Sequence, residues 1–131
     1  MKISASKNYD YEKLRSDAKR HIDMMADHAR SKFTTPGITQ AAVYNAKLDQ
    51  ARRFLDMGGE PETYPLLNNE VGITGPSISI VADMIIAKYN SWCRAVGHIE
   101  KVRLTRKQMV SAAADDIHVI KALAENTLFE E

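Results

Sequence analysis

The stretch that decides the fold is ISIVADMIIAKYNSWCRAVGHIEKVRLTRKQMVSA, residues 78–112. Its large apolar residues recur at spacings of three and four, which is the period of one face of an α-helix. The residues of this stripe are Ile78, Val81, Ile85, Tyr89, Trp92, Val96, Ile99 and Val102. A helix that continues to Ala112 would be roughly 50 Å long at about 1.5 Å per residue. The stretch therefore predicts one long helix, with Ser77 as its N-cap.

Gly97 is an unusual residue for the interior of this predicted helix, where glycine costs about 1 kcal/mol relative to alanine. Such a glycine often marks the close approach of another backbone, and a mild kink is the alternative. We expect one of these two features at Gly97.

Other helices are expected on both sides of the long one. A first helix begins after Asn8 or Asp10 as the cap and ends at the Thr-Thr-Pro-Gly segment, residues 34–37. A second helix covers about residues 39–57 and ends at a Gly-Gly pair, residues 58–59. A short helix follows over about residues 65–71, and a last helix begins after Asp115 as its N-cap.

No alternating β pattern is visible, so the sequence predicts an all-α fold. We expect a helical bundle in which the long helix packs antiparallel on the shorter second helix, with the first and last helices flanking this pair. Residues 1–9 are predicted as a flexible arm and residues 10–131 as a single helical domain. The predicted core consists of Tyr44, Leu48, Ala51, Leu55, Tyr64, Pro65, Leu66, Ile85, Tyr89, Trp92, Val96 and Ile99. For Tyr89 and Trp92 a position in an interface is the alternative.

Composition narrows the classes of function. The chain has 131 residues, 27% of them charged and 44% hydrophobic, which is typical of a soluble globular protein. Its formal net charge of +1 supplies no global field that would attract DNA or an anionic membrane. The most apolar segment, which starts at Ile78, is interrupted by Asp83 and is too short to span a bilayer. Cys93 is the only cysteine, which excludes an intramolecular disulfide.

Two adjacent arginines, Arg52 and Arg53, lie next to Phe54 on the second predicted helix. Asp49 precedes Arg53 by four residues, and Arg52 precedes Asp56 by four. Side chains at this spacing meet on a helix surface. We therefore expect two local ion pairs on a solvated helix face and no phosphate site.

The segment EKVRLTRK, residues 100–107, is the stronger basic cluster. Lys101, Arg103, Arg106 and Lys107 are accompanied in the segment only by Glu100. Clustered cations on a helix can bind phosphates or the acidic surface of a partner protein. Nucleic-acid contact, protein contact and simple solvation of these four residues all stay open.

Metal and catalytic patterns are absent from the sequence. His21 and His28 are seven residues apart, which is too far for both to bind one metal ion, and no His-x-x-x-His spacing occurs. Asp17 and His21 could pair but supply two ligands at most. Cys93 has His98 five residues on, yet a buried thiol beside Trp92 is the commoner fate of such a cysteine. We expect no metal, no cofactor and no enzymatic activity.

The order of several motifs resembles a helical domain that recurs in bacteriophage tail-fibre and tail-assembly proteins. The segments are TPGITQAAVYNAKLDQARRFL, YPLLNNEVGITG and a long helix that contains SW and IEKVR, and together they span about residues 35–113. The matching residues are Pro36, Gly37, Tyr44, Lys47, Tyr64, Pro65, Leu66, Leu67, Glu70, Trp92, Ile99, Glu100 and Arg103.

The resemblance implies a role in a virion or in its assembly. Such domains often follow a long fibre region, whereas here one predicted helix precedes the match, which favours a small accessory protein. We expect a minor virion or tail-associated component that acts by helix-mediated contacts with other phage structural or assembly proteins. It would form a homo-oligomer or part of a larger assembly, in the virion or in the host cytoplasm. The alternative is a small nucleic-acid-binding or regulatory protein that uses residues 101–107.

Overall fold

A computed structural model describes residues 8–33, 38–127 and 129 of the chain. The described residues form five α-helices: α1, Tyr11–Ser31; α2, Ile38–Met57; α3, Pro65–Asn68; α4, Ile78–Ala112; and α5, Ile117–Glu125. The predicted all-α fold class is confirmed. Most of the predicted flexible arm and the Thr-Thr-Pro-Gly segment, residues 34–37, lie outside the described residues.

Local caps determine where the outer helices begin. The Asp10 carboxylate accepts a hydrogen bond from the Lys13 backbone N–H at 3.0 Å, which confirms one of the two predicted caps of α1. The predicted cap of α5 is wrong by one residue. The side chain of Asp116, and not that of Asp115, accepts from the backbone N–H groups of His118 and Val119. Asp116 is the residue directly before Ile117, so its oxygen can reach the unpaired N–H groups of the first turn.

The end of α2 is set by glycine, as predicted. Gly58 and Gly59 have φ angles of +64° and +109°, which non-glycine residues rarely adopt. The chain then forms a single 3₁₀ turn, Pro61–Thr63, before α3. The Tyr64 hydroxyl donates a hydrogen bond to the Gly58 carbonyl at 2.6 Å and so closes the loop between α2 and α3.

The long helix α4 has 35 residues and matches the prediction at both ends. Ser77 caps it, because the Ile80 backbone N–H lies 3.3 Å from the Ser77 hydroxyl. Of the two alternatives expected at Gly97, the close approach of another backbone is wrong. A Cβ atom added there would meet no described atom within 4 Å, so no neighbouring backbone requires glycine at this position.

The chain divides into two compact units that share α4: residues 34–95, and residues 1–33 with 96–131. In residues 34–95, α2 packs antiparallel on the first part of α4, and α3 adds to the same core. Its buried residues are Leu48, Ala51, Tyr64, Leu67, Val81, Ala82 and Ile85. In the other unit α1 packs on α5 and on the last part of α4, around Ala18, Ile22, Val110, Ile120 and Ala124.

The structure corrects part of the predicted core. Leu55 is 47% exposed, Trp92 is 39% exposed and Pro65 is also exposed. In the last turn of α2 it is Phe54, and not Leu55, that packs against the core cluster. Trp92 lies two turns beyond Ile85, past the buried residues that α4 contributes to this cluster. Other predicted core residues are buried, namely Leu48, Ala51, Tyr64, Ile85 and Ile99. The remaining ones are partly buried, namely Tyr44, Leu66, Tyr89 and Val96.

Candidate protein-interaction surface

Three side chains in residues 34–95 form an aromatic surface: Arg52 on α2, and Tyr89 and Trp92 on α4. The guanidinium carbon of Arg52 lies 5.0 Å from the centre of the Tyr89 ring. The Tyr89 and Trp92 rings are stacked, with 6.1 Å between their centres and 26° between their planes. Contacts of these two kinds each stabilise by about 0.5–1.5 kcal/mol. They hold the indole of Trp92 in a defined orientation at a position that remains open to solvent.

The arginine pair of α2 agrees only in part with the local prediction. Arg53 donates to Asp49 at 3.0 Å, as its spacing predicts. Arg52 does not follow the expected pairing with Asp56, since its guanidinium lies over Tyr89 instead. The i, i+4 rule describes neighbours on one helix only, so it could not identify a ring supplied by another helix.

Tyr44 and Cys93 lie next to the aromatic surface. The Tyr44 hydroxyl is buried and has no hydrogen-bond partner among the described residues. Burial raises the pKa of Tyr44, and the neighbouring Cys93 and Tyr89 raise it further. The Cys93 thiol is partly buried and free. The Tyr44 phenol next to the aromatic surface is therefore uncharged at neutral pH.

In the predicted basic segment, residues 101–107, two of the four cations form ion pairs. Arg103 donates to Asp23 on α1 at 2.9 Å and also binds Glu100, and Lys107 donates to the other oxygen of Asp23 at 2.9 Å. Asp23 of α1 is therefore a second carboxylate that faces these cations, in addition to Glu100 of the segment itself. Lys101 is exposed, whereas Arg106 is partly buried.

Asp23 was missed by the sequence analysis because it lies 80 and 84 residues from its two partners. Burial alone would raise the pKa of Asp23, but the hydrogen bonds and charges of Lys107 and Arg103 outweigh it and hold the pKa below its ordinary value. The hydrogen bonds that Arg103 donates to Glu100 and Asp23 in turn raise the pKa of Arg103. The two cations and the two carboxylates of this cluster therefore neutralise one another, and all four belong to the unit formed by residues 1–33 and 96–131.

A second cross-helix contact involves Arg15 of α1. Its guanidinium donates to the Ala113 carbonyl at 2.8 Å and forms an ion pair with Asp115. Asp115 therefore helps to attach the segment after α4 to α1. This contact explains why two consecutive aspartates precede α5, since Asp116 supplies the cap.

No metal site is found in the described part of the chain, where no group of three or more His, Cys, Asp or Glu side chains could hold an ion. His21 and His28 are exposed on α1. Asp17 is not paired with His21, because it accepts hydrogen bonds from Lys13 at 2.8 Å and Arg20 at 3.1 Å. Among the described helices, none is long and apolar enough to cross a membrane.

Comparison of the chain with protein-family models, with curated proteins and with solved structures finds no match in any of the three. A proposal of function therefore depends on the residues and on their geometry.

Proposed function

We propose that this chain is a bacteriophage structural or assembly protein, a minor virion or tail-associated component, that acts by helix-mediated contact with another phage protein. The proposal requires no catalysis and no cofactor. Its setting comes from the resemblance of residues 35–113 to helical domains of tail-fibre and tail-assembly proteins.

The observation that carries the proposal is the aromatic surface formed by Arg52, Tyr89 and Trp92. Tryptophan, tyrosine and arginine are the residues most enriched among those that dominate binding energy in protein interfaces. Here the three side chains are adjacent, ordered by their mutual contacts and still accessible. A partner would thus bind a surface whose side-chain entropy is already reduced, which favours affinity.

Contacts among the residues of the resemblance support it further. Lys47 and Glu70, both part of that motif set, form an ion pair at 2.7 Å. Tyr64 and Leu67 are almost completely buried beside them. The ion pair and the two buried side chains give a physical reason for these residue types to occur together in the motif set.

The alternative, a nucleic-acid-binding or regulatory protein that uses residues 101–107, has less support. Arg103 and Lys107 already bind carboxylates of Asp23 and Glu100. Phosphate binding would have to compete with these ion pairs, and counterion release from the remaining cations, Lys101 and Arg106, would be small. A mobility-shift assay at low salt tests this alternative, and the structure predicts no shift.

The test of the proposed function compares Trp92→Ala with a matched control, Met57→Ala. Met57 is a large exposed apolar residue in the last turn of α2 and is not part of the aromatic surface. Each variant replaces the wild-type chain in the cells that produce the phage particles. Mass spectrometry then quantifies the chain in purified particles and in assembly intermediates, and circular dichroism checks the fold.

We expect Trp92→Ala to reduce recovery of the chain with its partner by at least about tenfold, since an interface tryptophan contributes about 2 kcal/mol or more. Met57→Ala should leave recovery unchanged. If the chain is found in intermediates and not in finished particles, it is an assembly chaperone. The proposal is wrong if the chain associates with neither, or if a folded Trp92→Ala variant is recovered as well as the wild type.

A further inference from the structure

Two exposed cations flank the Trp92 indole, one from each helix of residues 34–95. Arg52 of α2 lies over the Tyr89 ring, on which the indole is stacked. Lys88 of α4 comes four residues before Trp92, so these two side chains lie one helical turn apart on the same part of the helix surface. Both cations are exposed. The charges around the aromatic surface therefore bear on which partner it can bind.

Arg52 keeps its hydrogen-bond donors unused. It forms no hydrogen bond and no ion pair with a residue that the structure describes. Asp56 lies one turn further along α2, and this turn leads away from Trp92 because α2 is antiparallel to α4. A guanidinium that is stacked on a ring keeps its N–H donors at its edge, where they can bind an acceptor. The donors of Arg52 are thus held in a fixed plane and are open to a partner.

Lys88 also has no ion-pair partner in the part of the chain that the structure describes. The carboxylate of Glu70 binds Lys47 instead, at 2.7 Å. Residues 84–99 of α4 contain no acidic residue. The part of α4 that carries Trp92 is therefore positively charged.

The distance between Arg52 and Trp92 matches a short peptide segment. The guanidinium carbon and the indole centre are at most roughly 11 Å apart, since the 5.0 Å step to Tyr89 is followed by the 6.1 Å step to Trp92. An extended chain advances about 3.3 Å per residue, so a segment of about three or four residues covers this distance. One segment of a partner can therefore contact both side chains at once.

A carboxylate and an apolar side chain satisfy these two contacts. A guanidinium binds a carboxylate through two parallel charge-assisted hydrogen bonds, and the open indole of Trp92 gains by being covered with apolar surface. A basic segment would meet Arg52 and Lys88 without a carboxylate of α4 to offset them, and such like-charge contacts exclude partners.

We propose that the aromatic surface binds an acidic segment of its protein partner, in which an Asp or Glu carboxylate lies on Arg52 and a nearby apolar side chain lies on Trp92. Lys88 attracts the remaining negative charge of the segment. This inference rests on the proposed function, because it names the chemistry of the partner that the proposed function requires.

A peptide selection tests the chemistry of the partner while the partner itself is unidentified. Random peptides displayed on yeast are sorted for binding to the purified full chain, and peptides that also bind the Trp92→Ala variant are discarded. We expect the remaining peptides to be enriched in Asp or Glu beside an apolar residue and depleted of Lys and Arg.

The fluorescence of Trp92 then measures the affinity of an enriched peptide, since Trp92 is the only tryptophan of the chain. Arg52→Gln should weaken binding by about tenfold through loss of a charge-assisted pair, and Lys88→Gln by about threefold through loss of a screened attraction. Arg94→Gln is the matched control, because Arg94 is an exposed cation roughly 160° around α4 from Trp92, and it should leave the affinity unchanged. Circular dichroism checks the fold of each variant.

A change in the peptide tests the contact with Arg52 separately. Replacement of the acidic residue by its amide should weaken binding to the wild type by about tenfold and should add little to the effect of Arg52→Gln, because the two changes remove the same contact. The inference is overturned if the two losses are additive, or if Arg52→Gln binds the peptide as tightly as the wild type does.

Other outcomes of the selection also overturn the inference. Enrichment of basic or uncharged peptides would do so, as would the absence of any peptide whose binding depends on Trp92. Oligo-dT is a second probe, and tighter binding of it than of the peptide would assign the surface to stacked bases. If acidic peptides bind but the chain is absent from phage particles and intermediates, the phage setting alone is wrong. If Trp92→Ala loses its partner in phage-producing cells but no acidic peptide is enriched, this inference alone is wrong.

Discussion

Replacement of Asp23 by Asn tests how the unit formed by residues 1–33 and 96–131 is held together. Asp23 of α1 accepts one hydrogen bond from Arg103 and one from Lys107 of α4, each at 2.9 Å. Asn has nearly the same shape but no charge, so Asp23→Asn removes both ion pairs with little change in packing. Arg103 keeps its bonds to Glu100, while Lys107 loses the only described carboxylate that it contacts.

The magnitude follows from the exposure of the three side chains. Asp23 is 41% exposed, whereas Arg103 and Lys107 are less exposed, so screening is partial. Exposed ion pairs contribute about 0.2–1 kcal/mol each, and less exposed ones contribute somewhat more. The two contacts together give a loss of about 1–2 kcal/mol in the free energy of unfolding at pH 7.

The pH dependence of this loss has a definite sign. The native pKa of Asp23 is lower than its value in the unfolded chain, since Lys107 and Arg103 favour the ionised form despite partial burial. The stability that the ion pairs provide is thus fully present above the unfolded pKa of about 3.9 and disappears as the pH falls through the native pKa. The difference between wild type and Asp23→Asn should therefore shrink below about pH 4.

Urea denaturation followed by circular dichroism, at a series of pH values from 7 to 3, measures both effects. Asp27→Asn is the matched control on the same helix, because Asp27 is 82% exposed and its bond to Arg30 is long, at 3.4 Å. We expect a loss below about 0.5 kcal/mol for the control. The reasoning is refuted if Asp23→Asn is no more destabilising than Asp27→Asn, or if its effect does not change with pH.

Four other substitutions probe the helices and the core, each by urea denaturation. Leu67→Ala should lower the free energy of unfolding by about 2–5 kcal/mol because the side chain is fully buried. Leu55→Ala should lower it by less than about 1 kcal/mol because Leu55 is exposed. Equal losses would contradict the described core. Gly97→Ala should stabilise by about 0.5–1 kcal/mol, as an added Cβ meets no described atom, and a loss would reveal a backbone contact there. Asp116→Ala should cost about 0.5–2 kcal/mol through loss of the cap, and an unchanged stability would assign the cap to another residue.

Short-range rules predicted the secondary structure well and the core less well. The period of residues 78–112 identified α4 at both ends, and the same stripe assigned Trp92 to the core. The period reports which residues share a face of the helix, but it carries no information about how far along the helix the covering helices extend. In residues 34–95 the last residue of α4 that is buried in the core cluster is Ile85, and Tyr89 packs at the margin of the cluster. The apolar stripe of α4 therefore continues beyond the residues that this core buries.

The candidate site was predictable in residue type and not in arrangement. Tyr89 and Trp92 were recognised as aromatic residues one turn apart, with an interface as the alternative to the core. Arg52 was assigned to a local ion pair, because its contact with Tyr89 joins two helices and leaves no pattern in the local sequence. The basic segment was likewise visible, but the carboxylate that neutralises it comes from another helix.

The sequence by itself determined the helices and most of their ends. Caps, the positive φ angles of Gly58 and Gly59, and the apolar period all act within a few residues, so they can be identified along the chain. The tertiary structure alone decided which apolar residues are buried, which cations are neutralised and which ring Arg52 covers. These features depend on groups up to 100 residues apart, as for Arg15 and Asp115. Their free energy arises only after the helices have packed, because burial and cross-helix pairing are properties of neighbours in space.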